Sequence, residues 1–181
     1  MVAAGSDYRH WGVAGGVAGS GSNAGVPGAD VMVYTNVTKA YIGNANVFAK
    51  GDVIVTADAT QDILSIAAAV GLAGTFAIAG SASVQVVNNT AHAYIGNNLT
   101  ATSTANDHAV IAAEGNVLVN ATDDTRAFMI AGSAGIGLST GGVGVSVAVV
   151  SVNKDTQAYI GNHAEVDAKA TGSGDMSVLN G

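Results

Sequence analysis

The sequence predicts an all-β fold, a parallel β-helix (β-solenoid), and three observations predict it. The five letters AYIGN recur three times, at residues 40–44, 93–97 and 158–162. The segments around them alternate apolar and polar residues with the period of two that marks a strand. The chain also carries 25 Gly but only 1 Pro, with Ala and Val where larger apolar residues would be usual. A catalytic motif is needed once. A stacked building unit recurs with every layer, and its interior is narrow enough to favour small side chains.

Taken in chain order, each unit has the same parts. A valine-rich stretch leads into AYIGN: "ADVMVYTNVTKAYIGN" from Ala29, "SVQVVNNTAHAYIGN" from Ser83 and "SVAVVSVNKDTQAYIGN" from Ser146. A Gly-Asp/Asn segment follows: "GDVIVTADAT" from Gly51, "GNVLVNATDD" from Gly115 and "GDMSVLNG" from Gly174. In the first of these, Val53, Val55, Ala57 and Ala59 share one face, with Asp52, Thr56, Asp58 and Thr60 on the other and Ile54 as the exception. "NVLVNAT" repeats the pattern. We therefore expect Val53, Val55, Val117 and Val119 to be buried, with Asp52, Thr56, Asn116 and Asn120 exposed. In AYIGN, Tyr and Ile should end a strand and Gly-Asn should supply the positive φ of a corner.

The tyrosines Tyr41, Tyr94 and Tyr159 lie 53 and 65 residues apart (94 − 41 and 159 − 94). Most of the difference sits after the second AYIGN, around "TSTANDHAVIAA", which marks a loop on one side of a stacked array. Repeat units run over approximately 10–57, 58–121 and 122–181, within a single domain covering 1–181. With strands of about five residues and short turns, one coil takes about 20 residues. Each repeat then makes about three coils, and the chain roughly eight or nine, in a rod about 40 Å long.

Glycine-rich, uncharged stretches separate these parts: residues 10–29, 63–106 and 127–153 contain no Asp, Glu, Lys or Arg. Residues 127–153 are long enough for a membrane helix, but they are rich in Gly, Ser and Thr and grade into alternating "VGVSVAVV". Gly132, Gly135 and Gly137 read G-x-x-G-x-G, the wrong order for a dinucleotide or phosphate loop, and no Lys follows. Closely stacked strands and turns, whose neighbours leave no room for a side chain, are the better reading.

Composition removes further classes. The net charge of −7, with Lys and Arg spread singly, argues against nucleic acid. The absence of cysteine excludes a disulfide framework and a thiolate metal site. His10, His92, His108 and His163 show no metal-ligand spacing and read as surface histidines. Asp123–Asp124 and Asp58/Asp62 are the carboxylate pairs that could hold calcium or serve as acid and base, but no Gly-Gly-x-Gly-x-Asp calcium motif is present. No Gly-x-Ser-x-Gly elbow occurs. Asn-x-Thr triplets begin at Asn36, Asn88, Asn98 and Asn120 and read as polar strand edges. Trp11, the single tryptophan, is expected to pack at the end of the rod. No catalytic, cofactor-binding or metal residue is assigned, and no cofactor is expected.

The repeat "NVTKAYIGNANVFAKGDVIVTA" at residues 36–57, with its partial copies over nearly the whole chain, resembles the repeats of very large bacterial surface proteins. These are the leukotoxin-type filamentous adhesins and the related β-strand-repeat, haemagglutinin-like exoproteins. The resemblance implies type V secretion, a β-helical rod and a non-catalytic stalk or adhesive segment, located on the cell surface or secreted. It also implies virulence-associated adhesion, with neighbouring repeats of the same rod as partners and host-surface glycans or proteins as receptors. No nucleic acid and no stable membrane span are expected; end-to-end self-association is. "MVAAGSDYRHWG" lacks the basic start and hydrophobic run of a signal peptide, so export is expected to rest on residues outside this sequence. The alternatives are a carbohydrate-active β-helix enzyme, in which acids converge on one groove, and a glycine-zipper membrane element.

Overall fold

The computed structural model describes residues 1–97 and 108–171. The backbone winds through nine strands: β1 (Val2–Ser20), β2 (Asn23–Ile42), β3 (Asn46–Ala49), β4 (Val53–Ala73), β5 (Phe76–Ile95), β6 (Ala109–Ala113), β7 (Val117–Gly137), β8 (Gly141–Ile160) and β9 (Ala164–Ala168). They form three parallel sheets in the orders β1-β4-β7, β2-β5-β8 and β3-β6-β9. Every third strand joins the same sheet, which is the winding of a β-solenoid.

The solenoid class holds, but the expected number of coils does not. Val2 pairs Val55 and Tyr41 pairs Tyr94, so the first two layers are offset by a whole 53-residue repeat. Val53 pairs Val117 and Tyr94 pairs Tyr159 in the next layer. One repeat is therefore one wide coil, and the described residues make three coils rather than eight or nine. The physical reason is strand length. Two strands of each coil run 19–21 residues without a break, where strands of about five were assumed. The glycine-rich stretches, read as closely stacked strands and turns, are strands that meet at a turn.

The register also locates the insertion. The pairing offset is 53 at Ile42↔Ile95 and 64 at Asn46↔Val110, so the extra residues of the second coil fall between β5 and β6. Part of that segment, with Asn98, lies outside the described residues, as does "GDMSVLNG". One further residue enters at the turn between β7 and β8, where the offset rises from 64 to 65 and Gly141 takes a φ of 123°.

Each coil has two regions. At the base, the short third sheet closes a triangular core in which Val53, Val55, Ala57, Ala93, Ile95 and Ile111 pack together. Beyond the base the first two sheets continue alone and face each other, tip turns at 21–22, 74–75 and 138–140 joining them. This two-sheet extension forms a fin. Its interior is filled by small residues such as Ala67, Ala69, Ala77 and Ala79, all fully or nearly fully buried. A Cβ on Gly28 would sit 2.9 Å from the carbonyl oxygen of Ala68 across the gap. Glycine there lets the two backbones approach.

The face assignment at the base is as expected, graded by position in the stack. Val53 and Val55 in the middle coil are buried, whereas Val117 and Val119 in the outer coil are half-buried against the same core. Asp52 is exposed; Thr56, Asn116 and Asn120 face outward but are half-covered by their stacked neighbours. AYIGN also ends its strand as expected, since Ile42, Ile95 and Ile160 close β2, β5 and β8. Of its three glycines only Gly96 has a positive φ, 88°; in the third coil the left-handed residue of this corner is His163, at 58°.

Candidate functional site

Strand parity decides which polar side chains enter the rod. From Val53 onward every odd residue of β4 points inward, and the unbroken strand carries that parity to Gln61 and Ser65. The facing β5 brings in Ser81, Ser83, Gln85 and Asn89. Burial of so many polar groups is tolerated only where they pair.

Most of them pair, along the axis as well as across it, while Gln61 Nε2 and Gln85 Oε1 are buried without a hydrogen-bond partner. Asn36 Nδ2 donates to Asn89 Oδ1 at 2.7 Å, and Asn89 Nδ2 donates to Gln61 Oε1 at 2.9 Å. Thr125 Oγ1 reaches the same Gln61 oxygen at 2.7 Å, so one chain of hydrogen bonds links all three coils. Asp123 Oδ1 lies 3.0 Å from the same Thr125 Oγ1, so the one hydroxyl proton serves either Gln61 or Asp123. Lys154 Nζ lies 3.1 Å from Asp123 Oδ1, and the Asp123 side chain is only 2 % exposed. A second cluster lies at the root of the fin. Asp30 Oδ2 accepts hydrogen bonds from Ser65 Oγ and from Gln85 Nε2 (2.9 Å), while Ser65 and Ser83 hydroxyls are 2.6 Å apart. Gly12 leaves room for the Asp30 carboxylate, since a Cβ there would meet Oδ2 at 2.6 Å and His10 Nε2 at 2.8 Å.

These positions revise several expectations. His10 and His92 are not surface histidines: His10 points between the sheets, and His92 is 8 % exposed with Nε2 2.9 Å from Asp155 Oδ2. His108 and His163 are exposed. Asp123 and Asp124 point to opposite faces of β7, so they form no joint site. Asp58 and Asp62 both face outward but stand four residues apart on one extended strand, about 13 Å. Trp11 does not pack at the rod end; it projects from the outer face of β1, 80 % exposed, because Gly12 occupies the inward position. Among the described residues no group of three or more His, Asp or Glu is placed to hold a metal ion. None of their helices is long and apolar enough to cross a membrane. Residues 127–153 fall in the second half of β7, the turn after it and the greater part of β8.

The outer face of the base carries the one feature that repeats in all three coils. Tyr41, Tyr94 and Tyr159 stack face to face, with ring centroids 5.0 and 5.1 Å apart and interplanar angles of 6° and 2°. This ladder gives a use to the recurrent AYIGN that motif reading alone missed. Its signal was the invariant tyrosine, legible only once one repeat is known to be one coil. Burial between two rings pushes the Tyr94 phenol above its ordinary value of 10.0, with the neighbouring phenols Tyr159 and Tyr41 adding to the rise. Nearby, Asp155 is held below its ordinary 3.8, chiefly by the hydrogen bond from Gln157 and then by His92 and Lys39, against a desolvation that works the other way.

Two open apolar grooves, each about 400 Å³, complete the surface. One lies at the open end of the first coil beside Tyr41, Val47 and Ala49; the other crosses the fin tip over Gly19, Leu72 and Ile136. Asp52 is the one acid lining either groove. No family model matches the chain, and no curated protein or solved structure does either.

Proposed function

We propose that this chain is a structural stalk segment of a large secreted bacterial surface protein, of the adhesin or leukotoxin-like kind, and that it is not an enzyme. The observation that carries the reading is the register: each repeat adds one strand to each of three sheets, and equivalent residues stack in columns. A chain built so extends as a rod by repetition, and its outward polar groups are spread along the axis. Catalysis needs instead one asymmetric set of groups held within about half an ångström. The inward polar groups that do converge, such as Asp30, Ser65 and Gln85, bond to one another rather than facing a cleft.

Host-surface glycans or proteins are the proposed receptors, engaged by repeated weak contacts that gain strength through multivalency. The neighbouring repeats of the same rod are its structural partners, and the cell surface or the extracellular space its location. The test is a polysaccharide and host-protein panel probed with the free chain and with the chain displayed in many copies on beads. Binding by the displayed form alone, without turnover, supports the proposal. Turnover that disappears on Asp30→Asn or another single acid change overturns it.

A further inference from the structure

The fin is apolar on both of its outer faces, and we infer that its partner is a lipid bilayer. On the first sheet the columns Trp11–Leu64–Phe128 and Val13–Ile66–Ile130 point outward, and every outward position over 11–19, 64–72 and 128–136 is apolar or glycine. On the second sheet the same holds over 25–33, 78–86 and 143–149. Exposure is large: Val13 78 %, Val17 80 %, Val33 70 % and Val145 57 %. Inside, the same strands carry mainly Ala, Gly and Ser with Asp30 and Gln85, and Val26, Met32 and Met129 are larger apolar residues that point in, so in the fin most of the large apolar side chains are outside. The base has the opposite arrangement. Patterning with lipid-facing apolar residues and a polar interior is that of membrane β-proteins, not of water-soluble sheets.

Three further observations select a bilayer over a second copy of the chain. First, both faces change from polar to apolar at the same height: just before Leu64 comes the charged column Arg9–Asp62–Arg126, and just before Val86 the polar column Thr35–Asn88–Asn153. Trp11 stands at that boundary, where amphipathic aromatic residues meet headgroups. Second, about ten residues separate the boundary from the tip, roughly 33 Å of extended chain against a hydrocarbon core of about 30 Å. Third, three strands about 4.8 Å apart give each face only about 450 Å², short of the roughly 800 Å² per partner of a stable dimer. A second copy would also leave the opposite face bare, whereas a bilayer covers both.

The outer strands β1, β2, β7 and β8 each leave one edge of backbone groups unpaired within the fin. Hydrocarbon does not satisfy such groups, so entry requires coils stacked edge to edge and should rise steeply with protein concentration. This reading departs from the expectation of no stable membrane span, and it is independent of the stalk proposal.

The experiment is flotation of the purified chain with neutral phosphatidylcholine vesicles, read together with the emission of Trp11. We expect the chain to float, with Trp11 shifted to the blue and quenched more by bromine labels near the headgroups than by labels at the chain ends. Val17→Lys and Val145→Lys, one on each face, should each lower the bound fraction at least about tenfold, since lysine in the hydrocarbon is strongly disfavoured. Val37→Lys, on the base, should leave it unchanged. The unsubstituted chain with Trp11 as reporter tests the inference even if a variant fails to fold. Absence of vesicle binding overturns it. So does a dimer of fixed size that Val17→Lys or Val145→Lys dissolves, which would make a second copy the occupant.

Discussion

Individual side chains sort into those that fill the base and those that link the coils. Val55 is fully buried among the base residues, so Val55→Asp should cost on the order of 3–5 kcal/mol, whereas Lys50→Asp on the exposed corner should stay within about 0.5 kcal/mol. Urea unfolding of both variants checks this. Gln61 Oε1 accepts from Asn89 Nδ2, and Gln61→Leu would strand that donor, whereas Thr125 Oγ1 keeps Asp123 Oδ1 as an acceptor. The expected loss is about 1–3 kcal/mol. Tyr94 sets a pH dependence. Its folded-state pKa lies above its unfolded value near 10.0, so its contribution is complete below pH 10 and is lost as pH rises through the folded value. Phenolate absorbance should show one tyrosine ionising after the others. Asp155 works in the opposite sense: its folded value lies below 3.8, so its contribution is present above that pH and is lost as the pH falls through the folded value. Asp155→Asn should therefore flatten the stability profile on the acid side.

Among the elements, alternation in β4 was legible from Val53 to Ala59, because there the apolar residues are also the inward ones. Beyond Asp62 the same rule fails. Leu64 and Ile66 are larger and more apolar than Ser65 and Ala67, yet Ser65 and Ala67 are the buried ones. An unbroken strand cannot change parity, so the base dictates which residues of the fin point in. Nothing in the fin's own sequence states that, and for the same reason nothing in it marks Asp30, Asn36 and Asp123 as inward. The fin's narrow gap makes its glycines sensitive. Gly28→Val should wedge the sheets against Ala68 and cost about 1–3 kcal/mol, with the loss appearing as increased hydrogen exchange in the fin before the base.

At the scale of the whole molecule, the first and third coils present open parallel edges that continue each other's register. Columns would extend from one copy to the next: Ser6 and Asp123 occupy equivalent inward positions, as do Gly12 and Met129. A second copy seated on β7 would bring a Ser6 hydroxyl to the carboxylate of Asp123, whose Oδ2 is buried without a hydrogen-bond partner in the chain itself. It would also set Met129 against Gly12, large against small. Light scattering should accordingly show head-to-tail growth with concentration, and a clean monomer at high concentration would count against it.

The solenoid class was legible in composition and period, but the width of a coil was not, because strands of 20 residues lie far outside the usual length. All the readings above depend on one repeat making one coil, and a cross-link tests that claim most directly. Thr56 and Asn120 are 64 residues apart in sequence and paired neighbours on β4 and β7. The chain has 0 Cys, so Thr56→Cys with Asn120→Cys introduces a single pair. Adjacent strands place their Cα atoms about 4.8 Å apart, within reach of a disulfide. Mild oxidation should close that bond in the monomer, while Thr56→Cys with Asn88→Cys, on opposite outer faces, should stay reduced. If a repeat instead made three coils, Thr56 and Asn120 would lie about 14 Å apart. Failure of the first pair to close in the folded chain would then contradict the account.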